Sequence, residues 1–438
     1  MEIVEFSTPG LGDQTYLLVH EGSGILIDPQ RDIDRFLAEA AERDVNLRFV
    51  LETHLHNDYL SGAGAAAART GAELVLPAAA APAYRHTPAF HLEDIAGPAG
   101  LAIRPVHTPG HTPEHTSYVI LAEGEPVAVF SGGSLLVSSA GRPDLFGPER
   151  ARTLARLQHG SLRRLAGLPR TVGLYPTHGS GSFCSSTGAG RLTSTIGAEL
   201  DANPLLSIAD PERFADQLLA TPLPIPAFYP HMSPGNTLGV PPAPRDDLPE
   251  FDLSTAGDEV RLLDIRPRAA QAAGFVPGSL GVALGDDFGS WAAWLLPYGA
   301  PVALIAERGQ DVAEARAQLL RVGFDDVRGV AYDLRGLAIQ RFELLPLDQI
   351  AARFPDAQTL DVRMPHERAD RPLPGAVERF LPELVTDGVP EDLDPGTPVV
   401  VACGAGRRAA IAATILTRHG FTPVVLEGAA APDLAHAA

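Results

Sequence analysis

The sequence predicts an α/β protein made of one larger N-terminal domain and two smaller C-terminal domains. Three observations lead to this prediction. Strand and helix patterns alternate through the first 200 residues, a proline-rich stretch interrupts the chain near residue 221, and the part beyond that stretch repeats itself. A chain of 438 residues is also long for one hydrophobic core, which agrees with several domains.

The N-terminal part, residues 1–220, shows strand patterns bounded by glycines and one clear amphipathic helix. Residues 33–41 carry apolar side chains at helical spacing, with Asp32 as the predicted N-cap. The strand predicted at 47–53 places residues 54 and 56 on the loop that follows it. The remaining predicted strands span 14–20, 24–28, 73–76, 101–106, 117–122 and 127–130.

Residues 221–249 contain nine prolines, which indicates a semi-rigid linker rather than a packed element. Beyond this linker, three sequence matches share one offset of 97 residues, for example Asp264 against Asp361. Matches at a single offset indicate duplication. The sequence therefore predicts two copies of one small α/β domain, at 250–340 and 341–438.

A glycine- and arginine-rich loop follows Cys403 in the second copy, and a helix pattern begins directly after it. Such a loop turns backbone N–H groups inward at a helix N-terminus, and both features favour an anionic sulfur. Neighbouring arginines strengthen this effect, although a buried and unreactive cysteine is the alternative. The first copy has Ala306 at the matching position. The loop residues after the cysteine are Gly404, Ala405, Gly406, Arg407 and Arg408.

The DVR sequence at 361–363 and the CxxGxR pattern filled by Cys403, Gly406 and Arg408 resemble a rhodanese domain over about residues 343–430. This resemblance implies that Cys403 carries sulfane sulfur as a persulfide, with Arg408 in the catalytic loop. It also implies that 250–340 is a rhodanese copy without a nucleophile, which serves as a spacer or a docking surface.

Histidines at loop positions suggest a metal centre in the N-terminal domain. His54 and His56 follow a predicted strand in THLHNDY, and His111 lies in a Pro-Gly turn after another strand. Side chains at such positions can converge on one ion, and three histidines suit zinc with an open fourth position. Purely structural histidines are the alternative.

The histidine pattern resembles the metallo-β-lactamase fold, an αββα sandwich, and the rhodanese modules behind it point to the persulfide dioxygenase branch, which is similar to glyoxalase II. This resemblance implies one iron ion held at the positions of His54, His111 and residue 133, which is glycine here. Tyr59 stands where a second metal would need a histidine. We therefore expect at most one metal ion, bound by the three histidines, with iron implied by the family and zinc by the ligand set. An empty site is the alternative.

The same resemblance places further residues at the pocket. Asp58 belongs to the missing second metal site, and Arg142 is expected to brace the pocket. His178 matches a second-metal histidine, so we expect it to hydrogen-bond substrate. Cys184 either contacts a sulfur substrate at the pocket mouth or is structural, and we prefer the structural role. If the missing carboxylate impairs the iron chemistry, Gly133→Asp should partly restore iron binding, together with some persulfide-dependent oxygen consumption.

The composition of the chain argues against certain partners and locations. A net charge of −20, from 34 basic and 54 acidic residues, argues against nucleic acid. No secretory signal and no long apolar run is visible, so we expect a cytoplasmic protein without a membrane segment. We also expect a homo-oligomer. The predicted function is sulfur transfer through Cys403 among a low-molecular-weight thiol persulfide, thiosulfate and sulfite, coupled to persulfide oxidation. Two alternatives remain for the N-terminal domain. It is either a non-catalytic binding or dimerisation module, which leaves sulfur transfer as the single activity, or a mononuclear thioester hydrolase.

Overall fold

A computed structural model describes residues 1–179, 182–184, 191–220, 223–244 and 246–428. The chain divides into two compact units. Unit 1 comprises Met1–Pro244 together with Leu320–Gly323, and unit 2 comprises the rest of the chain.

Unit 1 is built on two six-stranded sheets and a short hairpin. Its strands are β1 Glu2–Thr8, β2 Asp13–His20, β3 Ser23–Ile27, β4 Asn46–Leu51, β5 Glu73–Pro77, β6 Thr87–Ala89, β7 Ile95–Ala96, β8 Ala102–His107, β9 Thr116–Ala122, β10 Glu125–Gly132, β11 Leu135–Leu136, β12 Ser139–Ala140, β13 Gly173–Pro176 and β14 Ser194–Thr195. The first sheet has the order β1-β2-β3-β4-β5-β6, the second has the order β14-β13-β10-β9-β8-β7, and β11 pairs with β12.

Helices cover the outer face of each sheet. They are α1 Asp34–Glu42, α2 Ala63–Thr70, α3 Pro148–Ala166, α4 Ile196–Ala202, α5 Pro211–Leu218 and α6 Tyr229–Leu238, with short 3₁₀ helices at Pro98–Gly100 and Pro204–Ser207. One apolar core lies between the sheets, where Tyr16 and Phe130 meet at 5.4 Å between ring centroids. A second core joins α1 and α2 to the first sheet, and a third joins α3, α4 and α5 to the second. The αββα sandwich expected from the sequence is confirmed.

Local expectations in unit 1 hold except at the start of α1. The helix begins one residue later than a cap at Asp32 requires, and Ile33 is its N-cap residue without a side-chain cap. Asp32 instead forms an ion pair with Arg35 at 2.8 Å. The predicted strands agree with the observed ones to within a few residues, because each is bounded by glycine or a turn.

The proline-rich segment differs from its expected role as an unpacked linker. Its first two residues lie outside the described ranges, but α6 forms within it and buries Tyr229, Met232 and Asn236. A proline is tolerated in the first turn of a helix, where its missing N–H has no partner to lose. The Nδ2 of Asn236 donates to the carbonyl oxygens of His56 and Tyr59, each at 2.9 Å. This segment therefore fixes the loop that carries the candidate site.

Unit 2 contains two parallel sheets. Its strands are β15 Arg261–Asp264, β16 Leu280–Gly281, β17 Val302–Ile305, β18 Val327–Ala331, β19 Glu343–Leu345, β20 Gln358–Asp361, β21 Val377–Glu378, β22 Val399–Ala402 and β23 Pro423–Leu426. Its helices are α7 Arg268–Ala273, α8 Phe288–Leu295, α9 Val312–Arg321 (whose last two residues fall in unit 1), α10 Leu347–Arg353, α11 Pro365–Asp370, α12 Glu383–Thr386 and α13 Arg407–Arg418, with a 3₁₀ helix at Leu253–Thr255.

The two sheets of unit 2 share one strand order. The first repeat reads β16-β15-β17-β18, and the second reads β21-β20-β22-β23 with β19 added at its edge. Asp264 binds Arg266 in the first repeat as Asp361 binds Arg363 in the second, with shortest distances of 2.5 and 2.6 Å. The Asp-x-Arg motif is thus a structural brace in both repeats, with or without a cysteine nearby. That the first repeat is a rhodanese copy stays a prediction.

Candidate metal centre and sulfur loop

Three buried histidines converge in unit 1. His54 follows β4, His111 follows β8 and His178 follows β13, and all three are fully buried. They form a group whose potential ligand atoms lie within 4.8 Å of one another. The Nε2 atoms of His54 and His178 are 3.2 Å apart.

Hydrogen bonds at Nδ1 fix the tautomer of each of these histidines. The Nδ1 of His111 lies 2.9 Å from the Arg142 carbonyl oxygen, and that of His178 lies 2.8 Å from Asp13 Oδ1. The Nδ1 of His54 lies 2.9 Å from Thr53 Oγ1, whose own proton goes to Asp28 Oδ2 at 2.7 Å. Each Nδ1 must therefore carry the proton, which leaves each Nε2 with a lone pair.

The surroundings of this cluster keep its imidazoles neutral. Burial, followed by the charges of neighbouring histidines, lowers the pKa of His54 and of His111 well below the usual value. Burial also lowers the pKa of His178. The Nε2 of His111 is buried without a hydrogen-bond partner in the described part of the chain. Neutral imidazoles that aim free lone pairs at one point fit a metal ion, so the cluster His54–His111–His178 is able to hold one.

His56 does not join this cluster as the sequence predicted. Its Nε2 lies 3.2 Å from Glu52 Oε2, 3.4 Å from Asp28 Oδ1 and 3.0 Å from the Tyr59 hydroxyl. Burial alone would lower the pKa of His56, but the charge of Asp28 and hydrogen bonds to both carboxylates raise it well above its usual value. His56 belongs instead to two neighbouring groups of potential ligands, one with Asp58 and His178 and one with Asp28 and Glu52. In the group that contains His54 and His111, the third member is His178 rather than the predicted His56.

Tyr59 stacks on the His56 ring, with 4.3 Å between ring centroids. Its hydroxyl also lies 3.2 Å from the Asp28 carbonyl oxygen. Tyr59 thus packs on the His56 ring, and its hydroxyl contacts the same Nε2 that faces the two acids. Sequence reasoning missed Asp28 and Glu52, although both lie at strand ends on the side where the histidines lie.

Asp58 and Asp13 form a buried acid pair beside His178. Asp58 Oδ2 lies 3.3 Å from the His178 Nδ1, to which Asp13 is already bonded. Burial raises the pKa of Asp13 to about 7, and burial together with the charge of Asp13 raises the pKa of Asp58 to about 7. Asp58 thus faces the outer nitrogen, Nδ1, of His178 and is not a member of the His54–His111–His178 group. Asp13 was not predicted from the sequence.

Gly133 is packed against the metal cluster. Its N–H donates to His115 Nε2 at 2.9 Å, and the His115 Nδ1 in turn lies 2.8 Å from Thr108 Oγ1. His115 is therefore fully bonded as a neutral imidazole, and burial lowers its pKa to about 3. A Cβ at residue 133 would fall 2.2 Å from Cδ2 of His111. The His111 ring occupies the space that an aspartate would need, which contradicts the expected rescue by Gly133→Asp.

Arg142 braces the site as expected. It forms a two-pronged pair with Asp144, both contacts at 2.7 Å, and its Nη2 donates to the Leu223 carbonyl oxygen at 2.7 Å. Its own carbonyl oxygen orients His111.

Cys184 lies beside Arg142 but is fully buried rather than at a pocket mouth, and its Sγ lies 3.5 Å from the Tyr229 hydroxyl. Burial raises the pKa of Cys184 well above its usual value, which suits a structural thiol.

The sulfur loop of unit 2, residues 403–408, forms as the sequence predicts. Cys403 follows β22 and is buried, and its Sγ accepts hydrogen bonds from Gly406 N at 3.0 Å and Ala409 N at 3.4 Å. Gly406 is the N-cap of α13 with φ of +77°, a conformation that glycine adopts without strain. The thiol therefore points at the N-terminus of a twelve-residue helix.

Arg408 is held beside the loop by a carboxylate. Its guanidinium binds Glu367 through two contacts, at 2.5 and 2.7 Å. Glu367 lies on α11, and the carbonyl oxygens of Glu367 and of Arg371, the residue that follows this helix, accept hydrogen bonds from Arg363. The DVR segment thus supports the partner of Arg408, and its Val362 N–H also donates to the carbonyl oxygen of Ala402, the residue before Cys403, at 3.0 Å. Arg407 is half-exposed and pairs with Asp287 of the first repeat at 2.8 Å.

Two protein families match separate parts of the chain. Residues 9–178 match the metallo-beta-lactamase superfamily, and residues 347–430 match the rhodanese-like domain. The chain therefore joins a metallo-β-lactamase fold to a C-terminal rhodanese-like domain. Two such folds in one chain suggest an enzyme.

Particular relatives resemble parts of the chain that differ in extent. A crystal structure of a metallo-beta-lactamase from Staphylococcus aureus, 26% identical with a TM-score of 0.69, covers 76% of this chain and 99% of that one. The crystal structure of ETHE1 from Myxococcus xanthus, 29% identical with a TM-score of 0.47, covers 54% of this chain and 98% of that one. A hydroxyacylglutathione hydrolase from Pseudomonas aeruginosa is 32% identical over 179 residues, which span 39% of this chain and 63% of that protein.

None of the helices in the described part of the chain has the length and apolar character that a bilayer crossing requires.

Proposed function

We propose that this chain is a sulfur-handling enzyme, in which a sulfurtransferase domain around Cys403 is joined to a metal-dependent domain. The observation that carries the proposal is the cradle of the Cys403 Sγ, which accepts two backbone N–H hydrogen bonds at the start of α13. Such a cradle favours an anionic thiolate or persulfide over a neutral thiol. The rhodanese-like match over residues 347–430 supports the same class of reaction.

The proposed sulfur transfer has two balanced steps. The Cys403 thiolate attacks the outer sulfur of thiosulfate or of a small thiol persulfide. A new S–S bond forms, the S–S bond of the donor breaks, and sulfite or the donor thiolate leaves with the electron pair. A nucleophilic acceptor then attacks the outer sulfur of the Cys403 persulfide, takes that sulfur and restores the thiolate.

For the N-terminal domain we propose a small thiol persulfide as substrate. One persulfide, one dioxygen and one water give one thiol, one sulfite and two protons. Sulfite is a competent acceptor for the Cys403 persulfide, and that transfer yields thiosulfate. Two sulfur reactions with a shared intermediate give a reason for the two domains to occupy one chain.

The residues of the N-terminal domain have defined parts in this proposal. His54, His111 and His178 would hold the metal ion, which supplies Lewis acidity or dioxygen activation when bound. The Arg142 carbonyl and Asp13 hold the protons on the outer nitrogens of His111 and His178, so that the inner nitrogens stay free. The metal is zinc or iron, with zinc favoured by three neutral histidines and iron by the reaction.

A second candidate function is thioester hydrolysis. It is favoured by the composition of the cluster, because three neutral histidines suit a zinc ion with one open position, and no carboxylate belongs to this group. The partial likeness to a hydroxyacylglutathione hydrolase supports the same alternative.

One set of assays separates these functions. Purified protein, its metal measured, is given glutathione persulfide while oxygen uptake is recorded, and a hydroxyacylglutathione thioester while thiol release is recorded. Persulfide-dependent oxygen uptake that His178→Ala abolishes and Cys403→Ser leaves intact supports the dioxygenase proposal. Thiol release without oxygen uptake supports the hydrolase. If neither substrate reacts with the metal-loaded protein while Cys403 still takes up sulfur, the N-terminal domain is a binding module.

A further inference from the structure

The first repeat of unit 2 contacts the sulfur loop at several points. A Cβ on Gly406 would fall 2.1 Å from Nη1 of Arg268, so this arginine lies directly against the loop. The Gly281 N–H donates to Thr414 Oγ1 of α13 at 3.2 Å. These contacts place the repeat that has no cysteine at the edge of the Cys403 site.

Asp287 and Trp291 of the first repeat hold the two loop arginines. The Arg407 Nη1 lies 2.8 Å from Asp287 Oδ1, and the Trp291 Nε1 donates to Asp287 Oδ2 at 3.1 Å. The Trp291 ring also lies 5.8 Å from the guanidinium carbon of Arg408, within cation–π range. Trp291 therefore fixes one carboxylate oxygen of Asp287, and the other oxygen binds Arg407.

Both loop arginines are thus neutralised by acids. Glu367 pairs with Arg408, and Asp287 pairs with Arg407 although the Arg407 side chain is 52% exposed. The Arg268 Nη1 beside Gly406 has no hydrogen-bond partner in the described part of the chain, so Arg268 adds to the positive character of the backbone N–H groups and the helix N-terminus. A site of this kind gives less advantage to a doubly charged donor than one in which Arg407 and Arg408 are also free.

We propose that Asp287 is a specificity-determining residue of the sulfur-transfer site, which tethers Arg407 and so reduces the preference of the site for the thiosulfate dianion over singly charged sulfur donors. This inference rests on the proposed sulfur transfer at Cys403. It assigns the first repeat a role in selecting the sulfur donor, although it carries no nucleophile.

The test compares two donors that differ by one charge. Thiosulfate and methanethiosulfonate are given to the full-length protein with cyanide as acceptor, and kcat/KM is measured for each. Asp287→Asn keeps the shape of the side chain but releases Arg407. It should raise kcat/KM about fivefold for the dianion and about twofold for the monoanion, as expected for one charge at a solvent-screened distance.

The matched control is Asp286→Asn, which removes the same charge from the exposed neighbouring residue. In this variant, the ratio of kcat/KM for thiosulfate to kcat/KM for methanethiosulfonate should stay near that of the wild type. In an Arg407→Gln background, Asp287→Asn should no longer change the ratio, because there is no arginine left to release. The proposal is overturned if Asp287→Asn leaves the ratio unchanged, matches Asp286→Asn, or acts equally without Arg407.

A second readout does not depend on sulfur transfer. The rates at which Cys403 is alkylated by neutral iodoacetamide and by anionic iodoacetate report the charge preference of the same site. Asp287→Asn should raise the iodoacetate-to-iodoacetamide ratio, and Asp286→Asn should not. If the wild-type protein transfers no sulfur, the proposed function fails, while the alkylation ratio still decides whether Asp287 holds Arg407.

Discussion

Gly133→Asp should damage the metal centre rather than complete it. A Cβ at residue 133 would lie 2.2, 2.7 and 2.8 Å from the Cδ2, Cγ and Nε2 atoms of His111. The backbone of Gly133 cannot retreat freely, because its N–H is bonded to His115. The His111 ring must therefore turn away from the cluster, and a candidate metal ligand is displaced by the residue meant to assist it.

The size of the effect follows from overpacking of a buried site. Forcing extra atoms into a packed interior costs about 1–3 kcal/mol in the free energy of unfolding. For a domain of this size each kcal/mol corresponds to roughly 2–4 °C, so the melting temperature of the metal-free protein should fall by roughly 2–12 °C. Metal affinity should fall by about 10–100-fold, the range seen when the positioning of a metal ligand is disturbed.

The assay combines thermal melting in the presence of a chelator with equilibrium dialysis against zinc and against ferrous iron. Gly133→Ala tests the Cβ alone and should show most of the loss of stability. The matched control is Gly64→Asp on α2, where no atom lies within 4 Å of an added Cβ, and it should melt like the wild type. A Gly133→Asp protein with an unchanged melting temperature and tighter metal binding would refute this reasoning.

Three further predictions concern sulfur and metal loading. Incubation with thiosulfate should add one sulfur to the intact mass, Cys403→Ser should abolish it and Cys184→Ser should retain it; sulfur on the Cys403→Ser protein would exclude this carrier. Elemental analysis should find at most one metal per chain, greatly reduced by His178→Ala and unaffected by His107→Ala, a histidine outside the cluster; two equivalents, or equal loss in both variants, would contradict the assignment. Because burial lowers the pKa of all three candidate ligands, protons should compete with the metal only well below the free-histidine value of about 6.5, so dialysis at pH 6 should leave the metal bound. Metal release between pH 7 and 6 would show that the ligands titrate normally.

Much of the fold could be predicted because its signals are local. Strand alternation and bounding glycines located the strands of unit 1, and the 97-residue offset located the repeats of unit 2. The sulfur loop was equally predictable, since Cys403, its glycines and the following helix are continuous in sequence and the cradle is made by their own backbone. The proline-rich segment was harder, because burial of Tyr229 and Asn236 in α6 depends on partners elsewhere in the chain.

The sequence by itself determined the fold class, the loops that carry the histidines and the cysteine that we propose as the sulfur carrier. Only the tertiary structure decided which histidines meet, because His54 and His178 are 124 residues apart and no spacing rule relates them. It also decided the partners of His56, which are two buried acids at the ends of neighbouring strands. Side-chain direction and buried charge are properties of the packed molecule, and for that reason the ligand set could not be read from the motif alone.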